Sequence, residues 1–274
     1  MTGPNGSSRV FIELGPRPEE PTQLVRPGAR SSYPPDVLAR LDADAETLVA
    51  RYREPDAAAT TSRSALLPLL HLVQSEDGYI TPAGIDFCSA KLGLTGAEVA
   101  AVSTFYSMYR RGPTGEYLVG VCTNTLCAIM GGDDILAALE EHLGSTGSRD
   151  EGGHSISTSD GKITLEHIEC NAACDYAPVV MINWEFFDNQ TPESARSLVD
   201  ALRAGERVTP SRGATLCSFR QTARTLAGFP DTRIEAAEAQ TIGGATLAGL
   251  RISRSHDDNP PGSASAADTP GEGK

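Results

Sequence analysis

Four cysteines stand in two pairs: Cys122 and Cys127 in VGVCTNTLCAIMGG, and Cys170 and Cys174 in HIECNAACDYAPVV. The pattern is C-x4-C, 42 intervening residues, then C-x3-C. Three chemistries use paired thiols of this kind. A structural zinc favours two-residue gaps, which let tight turns aim both sulfurs at one tetrahedral ion, and these gaps are wider. A [2Fe–2S] cluster divides four thiolates between two irons, and a four-residue gap is familiar from plant-type ferredoxins. A dithiol–disulfide site of the thioredoxin kind uses C-x-x-C, which neither pair matches. Spacing favours the cluster and leaves zinc and dithiol chemistry open.

Charge adds to that preference. Two ferric ions, two sulfides and four thiolates sum to −2, and one electron makes −3, so the loops must offer donors. Thr123, Asn124, Thr125 and Asn171 are short polar residues inside the ligand loops, and Gly131 and Gly132 permit close backbone approach. A helix opening near Asp133 would aim its positive end toward the first pair, although an ordinary Asp-capped helix after a Gly turn reads the same way. Cys88 and Cys217 lack partners and read as buried small apolar residues. His167, near Cys170, could replace a ligand as in Rieske centres, but it reads as a surface strand residue when four cysteines are available. The chain has no P-loop and no G-x-G-x-x-G, so nicotinamide or flavin would bind elsewhere.

The elements around these loops follow from pattern. VLARLDADAETLVARY puts Val37, Leu38, Leu41, Ala45, Leu48, Val49 and Tyr52 on one helical stripe. SALLPLLHLVQSEDG reads as a helix with Ser64 as N-cap and Pro68 in the first turn. Thr81-Pro82 begins a third helix that stops before Gly93, and Thr95 with Glu98 forms a capping box for a fourth. The period changes at Gly115. EYLVGVC reads as a strand, and GDDILAALEEHLG as a helix capped by Asp133 or Asp134. ISTSDGKITLEHIEC reads as two strands about a Ser-Asp-Gly turn, and PVVMINWEFF as one further strand region. Thr191-Pro192 starts a helix that ends before Gly205. The order β-α-β-β-β-α predicts an α/β sandwich with both cysteine pairs just after strands, in loops converging at one end of a sheet. A cis Ala177-Pro178 bond is plausible beside the second pair.

The chain of 274 residues divides into a flexible arm (1–34), a helical bundle (35–111), an α/β domain (112–205), an extension (206–256) and a low-complexity tail (257–274). Net charge is −13, and residues 31–206 hold 26 acidic against 11 basic side chains, which argues against nucleic acid as the main partner. Residues 207–230 carry Arg207, Arg212, Arg220 and Arg224 and no acid, which suggests a segment that docks a neighbouring subunit. Six cysteines are too few for a disulfide scaffold, and neither a secretory signal nor a membrane-length apolar run is visible, so the expected setting is a reducing cytoplasm.

Several segments in order resemble one family over about residues 36–204. ALLPLLHLVQSEDGYIT, VSTFYSMY, VCTNTLCAIMGGDDIL, TSDGKITLEHIEC and APVVMINWEFFDNQTPE resemble the small [2Fe–2S] subunit of respiratory complex I, the bacterial NADH:quinone oxidoreductase. The resemblance implies a thioredoxin-like ferredoxin domain behind a small four-helix domain. It implies one [2Fe–2S] cluster on Cys122, Cys127, Cys170 and Cys174, docking against an FMN- and NADH-binding subunit, and a place in the peripheral arm on the cytoplasmic face of a bacterial inner membrane. The same family includes small subunits of NAD-linked hydrogenases and formate dehydrogenases; a zinc-stabilised binding module is the alternative of another class. One departure stands out. The family writes the second pair as C-L-G-x-C, whereas this chain has Asn171 and Ala172, and a position needing positive φ would strain an alanine by roughly 1 kcal/mol.

Overall fold

A computed structural model describes residues 28–52, 59–144, 147–149, 155–231, 233 and 243–257. Most of the expected arm and tail lie outside these residues. The described chain starts with four helices: α1 (Pro35–Ala50), α2 (Leu66–Asp77), α3 (Pro82–Leu92) and α4 (Gly96–Phe105). Local chemistry sets most of their ends. Pro35 opens α1 where its missing N–H is not needed. The Thr81 hydroxyl accepts from the Gly84 amide at the start of α3, and Thr95 and Glu98 form a reciprocal capping box on α4. Gly78 and Gly93 end α2 and α3 in the left-handed conformation. One cap differs from expectation. A 3-10 turn over Ala59–Ala65 feeds directly into α2, so Ala65 and not Ser64 occupies the cap position, without a side-chain bond. Leu41, Ala45, Leu48 and Val49 of α1 pack with Leu69, Leu70, Leu72 and Val73 of α2 in one core, while Leu38 and Tyr52 remain at the edge of the stripe, exposed.

The second unit is a six-stranded mixed sheet in the order β2-β3-β4-β1-β5-β6, with β1 (Tyr117–Cys122), β2 (Gly147–Arg149), β3 (Ser155–Thr158), β4 (Ile163–Ile168), β5 (Val180–Ile182) and β6 (Glu185–Phe187). Between β1 and β2 lie α5 (Thr125–Ile129) and α6 (Gly132–Gly144); α7 (Pro192–Ala204) follows the sheet. Val119, Val121, Ile163 and Leu165 pack against Ile135 and Leu139 of α6 and Val199 and Leu202 of α7. The segment expected as one strand, PVVMINWEFF, is a hairpin. Asn183 and Trp184 adopt φ of 47° and 69°, the two-residue geometry that reverses a twisted pair of strands. Asn183 tolerates that conformation because its buried amide is satisfied, accepting from the Leu118 amide and donating to the carbonyls of Glu116 and Cys217.

The topology positions the cysteine loops. β1 and β4 are parallel neighbours with Cys122 in register with Ile168, so both strands end at the same edge of the sheet. The loop after β1 carries Cys127, and the loop after β4 carries Cys170 and Cys174.

Past α7 the chain runs back over both units. α8 (Phe219–Leu226) is capped by Ser218 and Gln221. Phe219 is buried and stacks on Trp184 of the sheet unit, with centroids 5.6 Å apart. Arg224 pairs bidentately with Asp44 of α1 at 2.7 and 3.1 Å, and Arg220 donates to the carbonyls of Glu76 and Asp77 at the C-terminus of α2. Of the four arginines that suggested a docking segment, Arg220 and Arg224 thus bind the helical unit, and Arg212 pairs with Asp175 and Asp188. Helix α9 (Gly244–Asp257) ends the described part.

Candidate metal centre

Cys122 is the last residue of β1, and Cys127 lies on the five-residue helix α5 two residues beyond its start. Both are buried. Cys170 follows β4 by two residues, Cys174 opens a 3-10 turn over Cys174–Tyr176, and both are exposed. All four line one pocket, together with Asn171, Ala173 and Val179. The Cys170 and Cys174 sulfurs are 3.8 Å apart. Among the described residues no three His, Cys, Asp or Glu side chains are grouped around one metal position. The sulfurs sit as two pairs across a shared pocket. Cys88 and Cys217 lie elsewhere. Cys88 is fully buried in the helical core, where burial raises its thiol to about 12, and Cys217 is half-buried with its sulfur 3.2 Å from the Thr222 hydroxyl. His167 is an exposed residue of β4 and does not line the pocket.

The pocket fits a negatively charged sulfur-ligated group on three observations. First, the Asn171 side-chain N–H2 is buried without a partner among the described residues, yet Asn171 lines the pocket, so it supplies a donor awaiting an acceptor. Second, the Ala172 amide donates to the Cys170 sulfur at 3.4 Å. Third, Gly132 lets the first turn of α6 press on the first pair. A Cβ there would lie 2.5 Å from the Cys122 carbonyl oxygen and 2.9 Å from that of Cys127. The positive end of α6 thus abuts both cysteines. Its acids differ from the expected role: the helix begins at Gly132, so Asp133 and Asp134 lie in its first turn and do not cap it. Asn124 also differs, since its amide spans the two loops to the Glu169 carboxylate at 3.2 Å and does not serve a sulfur.

Without a metal, Cys127 and Cys174 resist ionisation. Burial pushes the Cys127 thiol up to about 11, and contact with the Cys170 sulfur raises Cys174. Binding a cation would displace those protons. Backbone geometry accounts for the departure in the second loop. Ala172 adopts φ of 55°, so the position keeps the left-handed conformation although glycine is absent. The Ala177-Pro178 bond is cis. It turns the chain into Val179, whose carbonyl accepts from the Cys122 amide at 3.2 Å. Sequence reasoning missed two contributors to the site. Val179 and Ala173 form its apolar wall, a role carried by no motif.

The model for the thioredoxin-like [2Fe–2S] ferredoxin family matches residues 46–203. A Mycobacterium tuberculosis H37Rv protein, the E-type subunit of NADH-quinone oxidoreductase, is 63% identical over 257 residues, covering 94% of this chain and 96% of that protein. The protein of the same name from Mycobacterium bovis matches equally. The Rickettsia bellii protein of that name is 39% identical over 142 residues, covering 52% of this chain and 81% of that protein. Parallel strands that end together, four cysteines round one pocket, and a family model spanning both loops lead to one conclusion: the chain belongs to the thioredoxin-like [2Fe–2S] ferredoxin family.

Proposed function

We propose that this chain is the [2Fe–2S] electron-transfer subunit of an NADH:quinone oxidoreductase, with Cys122, Cys127, Cys170 and Cys174 as the ligands of a single cluster. The observation that carries this reading is the convergence of the four cysteines on one pocket that also holds an unpartnered buried amide donor. When bound, a [2Fe–2S] cluster supplies a one-electron redox centre. The protein's part is ligation, burial and hydrogen bonding. Cys122 and Cys127 anchor one side inside the fold, while Cys170 and Cys174 form the exposed side. Val179, Ala173 and Ala177 keep water from the inner wall. The Ala172 N–H donates to the Cys170 sulfur and the Asn171 amide offers a further donor in the pocket, and such donors favour the more negative, reduced form.

The surface around Cys127 supports a partner-facing site. Leu126, Ile129 and Met130, on and just after the short helix that carries Cys127, are 43, 76 and 56% exposed, a concentration of apolar side chains that a docked subunit would cover. The partner in this reading is the FMN- and NADH-binding subunit of the peripheral arm, on the cytoplasmic face of a bacterial inner membrane. No helix among the described residues is long and apolar enough to cross a membrane. The test is serine substitution at each of the four cysteines in the assembled complex. Each variant is expected to lose the cluster or shift its reduced EPR spectrum. A variant with an unchanged spectrum and iron content would remove that cysteine from the ligand set.

A further inference from the structure

The second cysteine loop carries an acid, Asp175, directly after Cys174. The segment beyond residue 205, outside the span matched by the family model, closes on this acid from two sides. On one side Arg212 donates to both Asp175 carboxylate oxygens at 3.2 and 3.3 Å, and to Asp188 at 2.7 Å. Its guanidinium lies over the rings of Tyr176 and Phe186, 5.2 and 5.3 Å from their centroids. The side chain is only 12% exposed. Its backbone is pinned to the sheet, because the Ser211 and Arg212 amides both donate to the Phe186 carbonyl and the Arg212 carbonyl accepts from the Phe186 amide. On the other side, the start of α9 meets the same turn. The Thr246 hydroxyl donates to Asp175, and the Ala245 amide donates to the Tyr176 hydroxyl at 3.0 Å. Gly243 allows that approach, since a Cβ there would lie 2.5 Å from the Tyr176 hydroxyl oxygen.

We propose that the segment after α7 is a clamp on the second ligand loop, with Arg212 as the positioning residue that fixes Cys174 through Asp175 and Tyr176. The proposal rests on the reading of Cys174 as a cluster ligand. Apart from these contacts the cysteine loop is held by the buried Ala173, the Asn124–Glu169 bond and the Asn189 amide on the Tyr176 carbonyl; its regular structure is one 3-10 turn, and both its cysteines are exposed. A planar guanidinium suits the task because its two terminal nitrogens reach two carboxylates, Asp175 and Asp188, while its plane stacks on aromatic rings, which a lysine cannot do. Paired with two carboxylates, Arg212 acts through geometry and not by adding net positive charge to the site.

The test compares the full-length chain, co-purified with its flavin-binding partner, as wild type, Arg212→Gln, Arg212→Lys, the double variant Arg212→Met with Asp188→Asn, and the control Arg224→Gln. The readouts are the rate of iron loss to a chelator, the reduced EPR line shape, and amide hydrogen exchange over residues 170–176. Positioning residues of metal ligands typically change metal retention by about tenfold or more. Arg212→Gln and the double variant are expected to lose iron about tenfold faster, with an altered line shape and faster exchange in the loop. Arg212→Lys falls between them and wild type, and Arg224→Gln matches wild type. The double variant removes Arg212 together with the carboxylate of Asp188, so it decides the question if Arg212→Gln fails to fold. Wild-type rates and line shape in the double variant would overturn the clamp. A wild-type complex without iron in this subunit would instead overturn the cluster reading itself, and the clamp with it.

Discussion

At the scale of single residues, the site depends on a few backbone and amide details around the four sulfurs. Ala172 sits at φ of 55°, a conformation that costs a non-glycine residue about 1 kcal/mol. Ala172→Gly should therefore raise the stability of the folded chain by up to about 1 kcal/mol, partly offset by glycine's freedom in the unfolded state, as chemical denaturation would measure. Asn171 offers the pocket a buried donor without a partner among the described residues. Asn171→Leu, which restores the residue the family writes there, should lower the reduction potential because the reduced, more negative state loses a hydrogen bond. A tenfold effect on the equilibrium is about 59 mV for one electron, within reach of a redox titration followed by EPR. Gly132→Ala should prevent stable cluster binding, since the new methyl meets two carbonyl oxygens of rigid backbone and not a side chain that could swing away. Iron content per purified chain checks this outcome.

The elements explain why the four thiols were legible in the sequence while other parts of the site were not. A strand-like run ending in Cys122 and a second ending before Cys170 were visible, and two parallel strands that end at one edge bring their following loops together. The caps Thr81, Thr95 and Thr191 were readable because a hydroxyl just ahead of a helix start is a local signal. Ser64 failed because a 3-10 turn, which needs no capping side chain, already leads into the start of α2. The β5–β6 hairpin was hidden because Asn183-Trp184 is an unusual pair for left-handed positions. The long-range bonds of Asn183 to Leu118, Glu116 and Cys217 help hold that conformation in place, and they leave no local signal. Helix α2 also carries a pH sensitivity. His71 is buried with its Nδ1 unpartnered among the described residues, and burial lowers its pKa to about 4. The neutral ring is favoured in the folded state, so His71 carries no penalty above the unfolded value near 6.5. As pH falls toward 4 the unfolded chain takes up the proton first, and stability declines by an amount of order 3 kcal/mol. His71→Leu should flatten the stability profile between pH 6.5 and 4, measured by thermal denaturation of the full-length chain.

At the scale of the whole molecule, the chain builds a helical unit and a sheet unit and then uses its own C-terminal segment to tie them together. Arg110 just before the sheet pairs with Glu166 of β4 at 2.6 Å, and α8 wedges Phe219 against Trp184 while Arg224 grips α1. Burying a phenylalanine is worth about 1.5–3 kcal/mol, more than the exposed ion pair beside it. The contacts of Arg220 and Arg224 with the helical unit were not legible in the sequence, because bonds between residues so far apart along the chain leave no local trace. Phe219→Ala should therefore lower the denaturation midpoint of the full chain more than Arg224→Ala does, and leave iron content unchanged. The central claim is that the four converging cysteines hold one [2Fe–2S] cluster, and its most direct test is metal and acid-labile sulfide analysis of the purified subunit combined with EPR of the reduced sample. The account predicts two irons, two sulfides and a one-electron signal per chain that is lost or altered in Cys174→Ser. One zinc without labile sulfide would contradict it.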